Sequence, residues 1–291
     1  QGEQGTAKSS LTKLLRQIVD PNAAPLRTMP RDEMDLLVSA THSHVLTLDN
    51  LSRLSAEASD LLCGIATGTG SSARAKFTDG DEFIVATKNP VILNGIPALA
   101  NRPDLASRAL VVQLQPIGDD ARKSEQEQEA EWSEAAPQVL AALLDIMVCA
   151  IGNLPGTRLA RSSRLADFER LIEAAAPALG WAPGEFGEIY RRNQEELDEV
   201  TIEADDVAAS IVSLIEDDPP HRWTGTPSAL LDALGPKVSE SVKRSKSWPQ
   251  NATALGNRLV RLAPVLRRRG IVIEKRHSGE RRIAIAKVAK P

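Results

Sequence analysis

The chain is read as an α/β protein. A phosphate-binding core comes first, a helical region follows, and a small α+β domain of winged-helix type closes it. Three observations carry this reading. The first ten residues, Gln1-Gly2-Glu3-Gln4-Gly5-Thr6-Ala7-Lys8-Ser9-Ser10, form a P-loop-like turn. A buried-strand pattern ends in an acid at Asp49, and the last third ends in a helix followed by a two-stranded basic hairpin.

The opening turn fits the phosphate-loop template at Gly2, Lys8 and Ser9, with Ala7 where the template has its second glycine. Glycines there permit positive φ and close approach of the main chain, so that successive N–H groups from Glu3 through Ser10 can point at a β-phosphate. Lys8 would reach the β- and γ-phosphates of ATP, and the Ser9 hydroxyl would ligate Mg²⁺. Leu11, Leu14, Leu15 and Ile18 follow at helical spacing, which sets the loop at a helix N-terminus, where the dipole favours anions. The plainer alternative is a Gly-rich turn before an ordinary helix. Loops of this kind usually follow a strand, so residues upstream of Gln1 are expected.

Next, His44-Val45-Leu46-Thr47-Leu48-Asp49 reads as a short strand delivering a carboxylate, Asp49, to the Mg²⁺ site. Asn50 follows, where many ATPases carry a glutamate that polarises water; asparagine can orient water but cannot take its proton. Residues 54–65 have a helical pattern. Arg74 to Thr78, the turn Asp79-Gly80-Asp81 and Glu82 to Ala86 read as a hairpin. Val91-Ile92-Leu93 reads as another buried strand, ending at Asn94, whose side chain would sit beside a γ-phosphate or serve as a turn residue before Gly95. Residues 109–114 read as a further strand, preceded by Arg108, a candidate to stabilise charge on a transferring phosphoryl group or to make a surface ion pair.

This order is similar to the superfamily 3 helicase branch of the AAA+ ATPases, in particular to the ATPase part of phage and mobile-element primase-helicases of the poxvirus type. The likeness rests on the loop, Leu48-Asp49-Asn50, Ala66-Thr67-Gly68, Pro90-Val91-Ile92-Leu93-Asn94-Gly95-Ile96 and Arg102-Pro103-Asp104-Leu105, and spans about the first 115 residues. The resemblance implies Lys8 and Ser9 as Walker A, Asp49 as Walker B, Asn94 as sensor 1, and Arg108 (or Arg102) as an arginine finger. It implies ATP and Mg²⁺ as cofactors and a ring, usually a hexamer. It also implies a hairpin in the ring channel, from which Arg74 and Lys76 would touch single-stranded or forked DNA; otherwise these two mark an exposed strand edge.

Residues 119–205 read as a helical lid or linker, with Leu140, Leu143, Leu144 and Met147 at helical spacing and no chemistry of their own. Residues 206–291 read as a helix at 207–215, a short strand at 222–224, helices at 228–234 and 252–269 and a hairpin at 271–285. Arg258 and Arg261 on the long helix, and Lys275, Arg276, Arg281 and Arg282 on the wing, are the candidate DNA contacts, with Arg267-Arg268-Arg269 able to neutralise phosphates. Such a module can also bind protein. Pro264 is expected to kink its helix.

Charge supports this division. From Lys237 onward there are 15 Lys plus Arg against three Glu, a net +12, which leaves −16 for the rest of a chain whose total is −4. A basic terminal segment beside an acidic body points to nucleic acid. Cys63 and Cys149 read as separate reduced thiols, and the four histidines make no zinc pattern. No apolar stretch is expected to span a bilayer, and the two reduced thiols read as those of a cytoplasmic protein. Functionally, these features predict an ATP-dependent DNA helicase or translocase from a replication protein, or a nucleotide-gated initiator or loader that does not unwind.

Overall fold

The structure is a computed structural model. It describes residues 1–3, 5–68, 70–74, 82–96, 99–217, 219–245, 247–278 and 280–288; for 70–74, 82–86, 276–278 and 280–281 the backbone course alone is described. The chain divides into two compact units, one made of residues 1–99 and 108–191, the other of 100–107 and 192–291.

In the first unit, α1 (Lys8–Val19) leaves the opening loop directly. Its apolar residues are not its most buried ones; Leu14 and Ile18 are half-buried. Thr12 and Arg16 are buried, while Leu11, Leu15 and Val19 are exposed. The buried Arg16 guanidinium donates to Thr47 Oγ1 (2.9 Å) and Asp20 Oδ2 (3.0 Å), and burial pushes its pKa down against the opposing pull of Asp20. The Asp20 carboxylate also accepts the backbone N–H groups of His44 (2.9 Å) and Val45 (3.0 Å). One ion pair therefore ties the end of α1 to the start of the next strand. Helix α2 (Glu33–Thr41) is capped by Asp32, whose carboxylate accepts from Met34 N at 2.8 Å.

Strand β1 (Leu46–Leu51) follows, then α3 (Ala56–Thr67), capped by Ser55 and stopped by Gly68 at φ 90°. Strands β2 (Gly70–Arg74) and β3 (Glu82–Ala86) pair antiparallel, as the expected hairpin requires; of the first predicted arm, 74–78, residues 75–78 lie outside the described residues. The turn Asp79-Gly80-Asp81 lies outside the described residues. Strand β4 (Val91–Gly95) pairs in parallel with β1, Leu48 opposite Leu93, and the register shifts before Leu51 meets Gly95. Leu36, Leu37, Leu46, Leu48, Leu62 and Ile65 form the core beneath this pair.

The strand expected at 109–114 is not formed as an element. Its residues instead exchange two backbone bonds with the chain start, Gln1 N to Val112 O (2.8 Å) and Leu114 N to Gln1 O (2.9 Å). That is the spacing of a parallel strand pair, reduced to one residue on one side.

Helix α5 (Glu125–Asn153) opens with a capping box between Ser124 and Glu127 and pairs with α6 (Ala166–Leu179). By length and composition α5 is long and apolar enough to cross a membrane, which corrects the expectation that no stretch is. The sequence reading missed it because Pro137, Gln138 and Asp145 interrupt the run. Helix α7 (Glu185–Glu203) brings Phe186 and Tyr190 into a stack with Trp181, with Phe168 edge-on.

The second unit includes the short α4 (Pro103–Ala106), which packs on α11 (Ala252–Arg268). Helix α8 (Asp206–Glu216), α9 (Pro227–Leu234), α10 (Glu240–Lys243) and α11 surround a core of Ile211, Ile215, Leu230, Leu255, Leu259 and Leu262. Three strands close it, β5 (Arg222–Gly225), β6 (Ile271–Ser278) and β7 (Glu280–Lys287), antiparallel in the order β5-β7-β6. Ile271, Ile283 and Ile285 turn inward from this sheet. Helix α11 runs through Pro264, over nearly the span expected for it. Pro264 stands on the solvent face and the carbonyl it leaves unbonded is that of Val260, itself 58% exposed, so water can satisfy it.

Candidate functional site

The sequence-predicted loop, acid and asparagine meet in space. Ser9, in the first turn of α1, donates to both Asp49 oxygens, at 3.0 and 2.9 Å. Asn94 Nδ2 donates to Asp49 Oδ1 at 3.1 Å and to Thr12 Oγ1 at 2.8 Å. The parallel pairing of β1 and β4 explains this. Side by side, the two strands end their polar residues at one edge, where ligands of open α/β sheets bind. Position 9 and position 12 lie on the same face of α1, so the helix presents both hydroxyls to that edge.

The loop itself curls around the Lys8 ammonium. Nζ donates to Gly2 O (2.8 Å), Glu3 O (2.5 Å) and Thr6 Oγ1 (3.1 Å). Gly2 and Gly5 have positive φ (157° and 85°), and a Cβ at Gly2 would lie 2.8 Å from Thr6 Oγ1 and 2.9 Å from Leu114 O. Ala7 takes φ 55°, ψ 29°, the left-handed conformation that glycine fills in the template. Alanine thus adopts the template backbone at a steric cost rather than departing from it. Gln4 lies outside the described residues. Ser10 is half-buried and lies with Leu11 and Leu14 rather than bonding Asp49.

Asn50 is exposed and left-handed, with φ 57°. It occupies the register shift between Leu48 and Leu51. Asparagine tolerates this conformation better than glutamate does, which gives a backbone reason for its presence where an acid is common. Arg108 is half-buried at the head of segment 109–118 and has polar partners of its own.

A Mg²⁺ ion suits the donor set. Ser9 Oγ and the Asp49 carboxylate are hard oxygen ligands within hydrogen-bond distance of each other. Mg²⁺ characteristically takes one or two protein oxygens and fills the rest of its octahedron with water and phosphate. Two residues that the sequence reading passed over belong here. Thr12 locks the Asn94 amide. Arg122, whose Nη2 would lie 3.1 Å from a Cβ at Gly5, overhangs the loop and pairs with Asp119 at 3.2 Å. The one signal for Thr12 was its place one turn after Lys8; Arg122 had none, because its approach depends on the return of segment 114–122.

In the second unit the basic residues fall into two sets. Arg258 was expected to face DNA, but its Nε (2.9 Å) and Nη2 (2.7 Å) bond Asp205, the carboxylate that also caps α8. The same holds for two of the three consecutive arginines. Arg268 makes two 2.6 Å bonds to Asp198, which raise its pKa, and Arg269 bonds Glu199 and Glu216. These arginines meet an acidic run of α7 that the linear charge count assigned to another region. Arg261 and Arg267 remain exposed on α11 beside Asn257 and Val260. Lys275 on β6 and Arg282 on β7 are exposed, and Arg276 stands opposite Arg282 in the ladder, as His277 does opposite Arg281. Arg74 ends β2, and Lys76 lies outside the described residues.

Residues 1–191 match the family described as actinomycete integrative conjugative element replication protein. Residues 207–291 match the AICE RepA C-terminal domain. The chain therefore belongs to this family of mobile-element replication proteins. No curated protein and no solved structure matches it.

Proposed function

We propose that the chain is the ATP-driven helicase or translocase part of this replication protein, with an AAA+ core and a DNA-holding winged helix. The observation that carries the reading is the junction of Ser9, Asp49 and Asn94 at the mouth of a loop closed over Lys8. Mg²⁺, when bound, would neutralise charge on the phosphates. The residues supply the rest. Backbone N–H groups of the loop bind the β-phosphate, and the Lys8 ammonium exchanges loop oxygens for phosphate oxygens. Ser9 and Asp49 hold the metal in place. Asn94, fixed by Thr12, orients a water or the γ-phosphate. Arg108 from a neighbouring copy completes the site in a ring, and the β2–β3 hairpin carries Arg74 to single-stranded DNA.

A second reading stays attached to one observation, the left-handed Asn50. With no carboxylate at that position, the chain would bind ATP to assemble on DNA as an initiator or loader. Turnover of ATP with and without single-stranded DNA separates the two. Helicase function predicts stimulated turnover and strand displacement, both lost in Lys8→Ala; an initiator predicts nucleotide-dependent DNA binding without either. Mixing Lys8→Ala with Arg108→Ala should restore part of the turnover if the arginine acts across copies.

A further inference from the structure

Beside the loop, on the face of α1 that carries Ala7, Ser10, Leu11 and Leu14, lies a cavity of about 790 Å³. Its far wall is Leu114, Ile117 and, from α5, Trp132 and Ala135. The cavity shares Gly5, Thr6 and Ala7 with the opening loop, so it adjoins whatever that loop holds. The volume is that of a small-molecule site.

Several polar side chains at its rim bond within the protein. Lys123 Nζ bonds Glu131 at 2.6 and 2.7 Å, and Gln128 Nε2 donates to Lys123 O at 3.2 Å. Arg122, at the loop end, pairs with Asp119 and leans over Gly5. The cavity thus offers an indole and aliphatic walls at one end and a guanidinium at the other.

We infer that this cavity takes the base and ribose of a purine nucleoside triphosphate, read by stacking on Trp132 rather than by hydrogen bonds to the base edge. The inference rests on the nucleotide reading above and adds to it the nucleoside class and the residues that accept it. Every base has a π-face, so stacking selects for size more than for edge pattern. A site that discriminates strongly between bases needs buried donors and acceptors left unpaired by the wrong one. The rim groups named here are instead paired with each other. ATP and GTP should therefore bind alike, and the smaller CTP less well. Arg122 would contact the α- or β-phosphate from the side opposite Asp49.

The test is calorimetric titration of the full chain with Mg²⁺ complexes of ATP, GTP, CTP and inorganic tripolyphosphate, for the native chain, Trp132→Ala and Trp132→Phe. The expected result is ATP and GTP within about threefold of each other. Trp132→Ala should bind both about tenfold or more weakly with tripolyphosphate binding unchanged, and Trp132→Phe should stay near the native values. If Trp132→Ala keeps native ATP affinity, or loses tripolyphosphate binding as well, Trp132 is not the base platform and the inference falls. A hundredfold preference for ATP over GTP also overturns it, because that requires edge recognition. Tripolyphosphate binding in those cases leaves the phosphate loop standing. If neither tripolyphosphate nor any nucleotide binds, the nucleotide reading itself fails.

Discussion

Replacing Ala7 by glycine should stabilise the first unit. Ala7 sits at φ 55°, ψ 29° as the N-cap of α1 and makes no side-chain cap bond. A non-glycine residue in this region carries about 1–2 kcal/mol of steric cost. Glycine removes that cost but gives up about 0.5–1 kcal/mol of backbone entropy. The half-buried methyl contributes a few tenths more to the native state, on the order of a fraction of a buried methylene. The balance is a stabilisation of roughly 0.5 kcal/mol. Ala7→Val should move the other way by about 1 kcal/mol or more, since a β-branched side chain fits the left-handed region worst. Urea unfolding reads both, with an unchanged slope against denaturant for each variant. Trp132 and Trp181 report the first unit if Trp223 and Trp248 are replaced by phenylalanine in the background. Loss of stability in Ala7→Gly together with no loss in Ala7→Val would refute the left-handed loop.

Three further outcomes follow from the same contacts. Thr12→Val leaves the Asn94 amide, 7% exposed, short of its 2.8 Å partner and should lower stability by about 1–3 kcal/mol in the same denaturation assay. Asp20 is held below the ordinary carboxylate range, chiefly by the Val45 N–H and, against the opposing effect of burial, by Arg16 and His44 as well. Its contribution is therefore complete above an unfolded-state pKa near 4 and is lost as pH falls below that through the folded value; unfolding measured from about pH 5 to pH 2 should show a shallower acid limb in Asp20→Asn. Arg258→Ala should cost up to about 1 kcal/mol of stability with little change in DNA affinity, whereas Arg261→Ala should leave stability alone, weaken DNA binding and lower the salt slope by about one.

Most of the element order was legible because local signals agreed with the fold. Ser55, Thr226 and Asn251 each cap a helix where the hydrophobic period begins, Ser124 caps α5 ahead of a charged first turn, and the alternation of Ile271, Ile273, Ile283 and Ile285 fits the wing. The junction of loop and Asp49 was legible because the Gly-x-x-x-x-x-Lys-Ser turn and the acid-ended strand are both local patterns, and the structure brings Ser9 and Asp49 within hydrogen-bond distance. Three things were not. The inward face of α1 is polar, since Arg16 and Thr12 serve Asp20, Thr47 and Asn94, and a period of leucines does not announce a buried arginine. Segment 109–114 has strand composition but needs a partner strand to become one, and its two bonds to Gln1 are a tertiary fact. The arginines of α11 look free in the sequence because their acidic partners, Asp198, Glu199 and Asp205, lie more than fifty residues away.

The central claim is that Ser9 and Asp49 hold a magnesium ion on a nucleotide bound by the opening loop. Its most direct test is calorimetric titration of ATP into the native chain, Ser9→Ala and Asp49→Asn, each with Mg²⁺ and with EDTA. Mg²⁺ should strengthen ATP binding by the native chain about tenfold or more, in line with loss of a charge-assisted metal contact on chelation, and both variants should lose the increment. Equal affinity with and without Mg²⁺, or a Mg²⁺ increment that survives Asp49→Asn, would contradict it.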